Sequence, residues 1–174
     1  GGDIRSRLRF PVAVIRRVRQ VVGPDFPLVV KMNLRDGFDG GLEVDEACVV
    51  ARAMQEEGVD ALVLSGGFVS KVPMYVMRGD VPFQQMYEGQ TDVTKKVGLL
   101  LLGRVMVKAF PFREAYFLEH ARSVRKAVDM PLMLVGGMRS VETMLHVLDG
   151  GFELIAMARP LILEPDLIVR MERR

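Results

Sequence analysis

Four short runs of nearly unbroken hydrophobicity constrain this 174-residue chain more than any other feature: residues 27–33 (PLVVKMN), 61–65 (ALVLS), 131–135 (PLMLV) and 154–157 (LIAM). Runs of this length without polar alternation read as strands buried on both faces, the habit of a parallel sheet. Helical periodicity fills the intervals. Over 11–22, Val14, Ile15, Val18 and Val22 fall on one side and Arg16, Arg17 and Arg19 on the other. Residues 44–57 carry Ala47, Cys48, Val50, Ala51 and Met54 at the same spacing, and Gly58 is placed to cap them. Residues 114–128 and 141–148 repeat the pattern, the second with Ser140 as N-cap and Gly150 at its end. Pro165 suits the first turn of a last helix over 166–172.

A helix followed by four strand–helix units calls for a parallel sheet with right-handed crossovers. Two architectures satisfy that order, a doubly wound open sheet and a (β/α)₈ barrel. A whole barrel takes eight units and about 250 residues, so four units amount to half of one. At 49% hydrophobic the chain can bury a substantial core, and a single domain over 1–174 is expected. It is interrupted by a long excursion at 66–113, between the second strand and its helix. A connection of that length is either functional or a packed structure of its own, and residues 91–108 carry a helical pattern.

Composition narrows the chemistry. Lys and Arg number 24 against 22 Asp and Glu, a net charge of +2 that argues against non-specific nucleic-acid binding although six arginines crowd residues 5–19. The single cysteine, Cys48, leaves no partner for an intrachain disulfide and sits on an apolar helix face, as a core thiol does. His120 and His146 are the only histidines and lie inside helical patterns, so no metal site is expected. The 12 methionines read as adaptable core filling. The longest apolar stretch, 97–107, is broken by Gly103 and Arg104 and falls short of the roughly 20 residues that span a bilayer. With no signal peptide visible, no membrane segment and a cytoplasmic location are expected. The chain opens Gly1–Gly2–Asp3 rather than with methionine and reads as part of something longer.

Two places can carry chemistry. Alternation along the first strand puts Val29, Lys31 and Asn33 on one face and Leu28, Val30 and Met32 on the other. The apolar set belongs against helices, which turns Lys31 inward, where a lysine is costly unless it meets an anion, water or an internal ion-pair partner. The second place is the pair of strand ends in VGGMRS and MARPL. Gly136 and Gly137 let backbone N–H groups approach a phosphate, with a helix N-terminus following. One strand later Ala158–Arg159 occupies the corresponding end, where a guanidinium can grip a phosphate through two hydrogen bonds. Phosphate sites in many barrels lie after strands seven and eight. Tyr75, Tyr87 and Tyr116 fall in or beside the excursion and could cover a site, but the sequence singles none of them out.

These residues resemble the NADH:flavin oxidoreductases related to old yellow enzyme. The matches run in order through nearly the whole chain. Residues 1–10 (GGDIRSRLRF) are similar to the family's GGS-x-x-NR-x-RF block, 38–42 (FDGGL) to its F-x-GGL loop, and GVD at 58–60 with SGG at 65–67 to GVD…SGG; the VGG and ARPL endings close the series. The resemblance implies an α/β fold in which parallel β/α units form the C-terminal half, strands five to eight, of a TIM-type barrel that holds FMN. It implies that Lys31 lies near N1 and the C2 carbonyl of the isoalloxazine, where positive charge stabilises the reduced flavin. Gly136, Gly137, Ala158 and Arg159 correspond to the backbone and arginine grip on the FMN phosphate. The sequence departs from the pattern at four points: lysine for arginine at 31, alanine for glycine at 158, serine for asparagine at 6 and aspartate for serine at 3. The family's substrate-binding histidine pair lies upstream of the first block, and the cysteine cluster of its iron–sulfur members is not present here.

The resemblance therefore implies an enzyme parent, an FMN-dependent oxidoreductase passing hydride from NAD(P)H through flavin N5 to a small-molecule acceptor such as an activated alkene. A half-barrel leaves two sheet edges open, which predicts a homo-oligomer or pairing with the missing N-terminal half. Two alternatives stand beside it: a non-catalytic half-barrel that binds a phosphate-bearing ligand, and a fragment with no activity of its own.

Overall fold

The four apolar runs form four parallel strands, β1 (Val29–Asn33), β2 (Ala61–Ser65), β3 (Leu132–Val135) and β4 (Leu154–Ala156), hydrogen-bonded in the order β1-β2-β3-β4. The computed structural model describes residues 2–106 and 109–173. A doubly wound sheet reverses its strand order at a switch point. This sheet advances in one direction and carries its helices on one face, as barrel strands do.

The register sorts the side chains into two rows. Lys31 pairs with Val63, Val63 with Met133 and Met133 with Leu154, so these four share one face; Met32, Leu64, Leu134 and Ile155 share the other. The second row is the core side: Leu64 and Leu134 are fully buried and Met32 nearly so. Helices α2 (Val44–Glu56), α6 (Leu118–Arg125) and α7 (Val141–Asp149) close over it with Ala47, Ala51, Met54, Ala121, Val124 and Val147. The Lys31 row is open. Val29 remains 51% exposed and Leu154 46%, values that belong to a surface rather than to a strand covered on both sides. One face under helices and the other bare is the form of a barrel wall without the wall opposite.

Helix α1 (Ile4–Val22) begins at Ile4 rather than at residue 11, with Pro11 inside it. Its start is set by Asp3, whose carboxylate accepts the Ser6 amide at 2.9 Å and the Ser6 hydroxyl at 3.3 Å. The two departures from the family pattern in the first block are thus one N-cap. Gly1 lies outside the described residues. The arginine-rich face of α1 docks the helix: Arg7 pairs with Glu46, Arg16 with Glu57, and Arg19 bonds to Asp60 at 2.6 Å and to the Phe26 and Gly58 carbonyls. Asp60 also accepts the Leu28 amide at 2.7 Å, so one carboxylate ties the end of α1 to the start of β1.

Helix α6 covers only Leu118–Arg125, shorter than the 114–128 pattern. Residues 114–117 form a turn, with Ala115 at φ 45°, because Glu114 is drawn away to the start of α7. The excursion holds α3 (Pro73–Met77), α4 (Phe83–Glu88) and α5 (Val93–Met106). Of these, the 91–108 pattern foresaw α5 alone, and residues 107 and 108 lie outside the described residues. An isolated antiparallel bridge joins Gly79 to Phe110 and closes the neck of this excursion. After β4 come α8 (Arg159–Leu163) and α9 (Leu167–Glu172).

Candidate functional site: an anion rim beside an open sheet face

The carboxyl ends of β3 and β4 lie side by side, since Val135 pairs with Ala156. Gly136 and Gly137 therefore leave one strand next to where Ala158 and Arg159 follow the other. Both glycines hold positive φ, 124° and 72°, a region closed to most L-residues. A second reason is steric. A Cβ on Gly136 would stand 2.9 Å from the Tyr116 ring, and one on Gly137 would stand 2.8 Å from it. The double glycine is thus the floor on which Tyr116 lies.

Tyr116 links that floor to the arginine. Its hydroxyl donates to the Val76 carbonyl at 2.8 Å. Arg159 donates from Nη2 to the same carbonyl at 3.1 Å and from Nη1 to the Met77 carbonyl at 2.6 Å. Burial raises the Tyr116 hydroxyl above its usual pKa, against the lowering pull of Arg159 and Arg78, which keeps it a donor. Arg78 completes the group: its guanidinium lies 4.7 Å from the Tyr116 ring centre, 4.8 Å from Tyr75 and 5.3 Å from Phe110. Gly136, Gly137 and Arg159 thus meet at one rim, through residues that sequence reasoning did not single out. Tyr116 stood there only as one of three tyrosines. The main-chain oxygens of Val76 and Met77 carry no sequence signal at all.

The helix N-terminus expected behind the double glycine is already served. Ser140 caps α7, and Glu114 accepts both the Ser140 amide at 3.1 Å and its hydroxyl at 2.8 Å. The Glu114 carboxylate therefore occupies the place where the helix dipole favours negative charge. Burial pushes its pKa up, but the hydrogen bonds from Thr143 and Ser140 outweigh that and hold it below the usual carboxylate value. Ala158 is exposed and is the residue on which α8 begins, with its carbonyl accepting the Ile162 amide at 3.1 Å.

Lys31 stands on the open row of β1, exposed, and no ion pair among the described residues includes it. The internal ion pair that would have made it structural is not formed there. Its strand companion Asn33 is used internally: its amide donates to Asp36 at 2.8 Å and to the Gly67 carbonyl at 3.0 Å, tying the ends of β1 and β2. Lys31 and Arg159 belong to opposite edges of the sheet, about 14 Å apart at the usual strand spacing. A single ligand touching both must be extended. Among the remaining candidates, Cys48 is half-buried with its thiol pKa raised by burial, His120 is partly buried on α6, and His146 is exposed beside Arg122.

Four parallel strands under helices on one face, with a candidate site at their carboxyl ends, define a partial barrel of the β/α class. Comparison with known proteins makes the class specific. Residues 1–106 match the model of the NADH:flavin oxidoreductase / NADH oxidase family, and the chain belongs to that family. It is 36% identical over 173 residues to the 4,4'-dithiodibutanoate disulfide reductase of Rhodococcus erythropolis, covering 99% of this chain and 43% of that protein. Among solved structures it superposes on a 2-naphthoyl-CoA reductase complex with TM-score 0.72 at 20% identity, over 99% of this chain and 22% of that one. It superposes on the old yellow enzyme homologue from Zymomonas mobilis with TM-score 0.60, also at 20% identity, over 99% of this chain and 38% of that one. The chain thus spans less than half the length of these relatives, and its four strands are part of a (β/α)₈ barrel. Among the described residues no helix is long and apolar enough to cross a membrane.

Proposed function

We propose that this chain is the C-terminal half, strands five to eight, of an FMN-dependent NAD(P)H oxidoreductase, and that it supplies the cofactor's phosphate contact and the cation near flavin N1. The observation that carries this reading is that Arg159 and the Gly136–Gly137 pair follow the carboxyl ends of adjacent strands and are linked through Tyr116 and the Val76 carbonyl, in a chain of this family. The residues fit the group. An oxygen atom, the Val76 carbonyl, already sits between Arg159 and the Tyr116 hydroxyl, so the donors of the rim converge on a point that accepts oxygen.

Arg159 would hold the phosphate by charge-assisted hydrogen bonds, with the main chain of Gly136, Gly137 and Ala158 beside it. Lys31, exposed on the open face, would place its ammonium against the ring system. FMN, when bound, supplies hydride transfer at N5 between NAD(P)H and a small-molecule acceptor such as an activated alkene. The chain's own part is to orient the group and to fix charge beside it; the open face leaves the exclusion of water to whatever completes the barrel.

The test is an absorbance spectrum from 300 to 550 nm of the purified chain, before and after excess FMN and desalting. Retained flavin bands, with affinity lowered about tenfold or more by Arg159→Ala, are the expected result. Flavin retained equally by both proteins would remove the arginine from the site. A colourless protein that binds inorganic phosphate through Arg159 would favour the non-catalytic half-barrel instead.

A further inference from the structure

Two side-chain donors of the rim, Arg159 and Tyr116, are already engaged within the chain. Both terminal nitrogens of Arg159 donate to carbonyls of the last turn of α3, and the Tyr116 hydroxyl donates to one of the same two oxygens. Val76 and Met77 thus present main-chain oxygen to the arginine that an incoming phosphate would need. A carbonyl oxygen carries only partial charge. A phosphate oxygen carries formal charge, so it adds a charge–charge attraction and bidentate geometry that a single carbonyl does not offer a guanidinium.

The segment that offers these carbonyls is anchored by the buried Met74 and Tyr75 and ends in a strained turn. Arg78, the next residue, adopts φ 52° and ψ 149°, a region that residues with a Cβ occupy only at a cost. Its guanidinium is held among three aromatic rings, Tyr75, Phe110 and Tyr116, and its Nε donates to the Tyr75 carbonyl at 2.9 Å. Gly79 follows at φ 98° with nothing within 4 Å of a built Cβ, so the chain has room to turn there. Three hydrogen bonds and an aromatic cage hold a strained turn against the rim.

Building on the phosphate contact argued above, we propose that residues 73–79 form a latch that an anion releases. A ligand phosphate displaces the Val76 and Met77 carbonyls from Arg159, and the turn at Arg78–Gly79 relaxes away from the rim. Because Gly79 is bridged to Phe110, its movement reaches the neck of the excursion. Occupancy of the phosphate site is thereby coupled to the position of residues 80–106.

The experiment titrates FMN into the 174-residue chain, its Tyr116→Phe variant and its Arg159→Ala variant by flavin fluorescence. Hydrogen exchange of the amides of residues 74–79 is followed with and without FMN. Tyr116→Phe keeps the ring on the double glycine and removes one bond to the latch, so it is expected to bind FMN about fivefold tighter. Exchange at 74–79 is expected to quicken when FMN binds the wild-type chain, or the Tyr116→Phe variant where that alone binds. Arg159-dependent binding that Tyr116→Phe leaves equal or weakens, or that leaves exchange at 74–79 unchanged or slower, overturns the latch and spares the phosphate contact. Binding that Arg159→Ala does not weaken overturns the contact itself. No binding by either the wild type or Tyr116→Phe also overturns the latch, since loosening it would then admit nothing.

Discussion

Glu114 shows how one side chain can settle both local structure and the character of a site. Its carboxylate leaves the helical pattern of its own segment and crosses to Ser140, where it serves the start of α7. Removing it in Glu114→Ala is expected to lower the free energy of unfolding by about 2 kcal/mol, as for hydrogen bonds to a charged group, measurable by urea denaturation. The pH dependence has a definite sign. The folded pKa lies below the ordinary 4.5, so the stability this group contributes is present above about pH 4.5 and is lost as pH falls toward the folded value. The acid limb of a stability–pH curve should therefore be shallower in Glu114→Ala than in the wild type. Of the candidate site, sequence reasoning nominated the residues whose type is itself a signal: a lysine on an apolar strand, and two glycines and an arginine at strand ends. Tyr116 and Arg78 were not legible, because their roles come from ring packing and from main-chain oxygens that residue identity does not encode.

At the level of elements, hydrophobic runs and caps were the reliable guides. All four strands lie within the apolar runs, and Ser140 caps α7 as its spacing demanded. Boundaries shifted wherever a polar side chain found a better partner than its own helix, at Asp3 for α1 and at Glu114 for α6. The excursion was the least legible part. Its short helices α3 and α4 have no room for a period, and its neck is closed by a single bridge between residues far apart in sequence. That closure carries its own prediction. Val97, Leu100 and Leu101 of α5 are 51%, 74% and 72% exposed, so the α4–α5 hairpin buries little against the rest. Replacing residues 82–108 with a short Gly-Ser linker is expected to lower the melting temperature by no more than about 3 °C, a change of about 1 kcal/mol for a chain of this size. A larger loss in differential scanning fluorimetry would show that the hairpin supports the core.

At the scale of the molecule the governing fact is that, among the described residues, the sheet has two unpaired edges, β1 and β4, and one face that no helix covers. Exposed strand edges recruit partners. At micromolar concentration, light scattering is expected to report a dimer or larger assembly, and a monomer mass would contradict this. The strand order that separates this fold from a doubly wound sheet also bounds what such a partner can be. Each strand turns the wall a fixed step in the same sense, so four strands sweep about half a circle. Two copies meeting β4 to β1 at both seams would complete the circle about a two-fold axis. The faces now open would pack against each other as the barrel's interior, and a ligand at the carboxyl-end rim would be walled in by a twin of the chain that holds it.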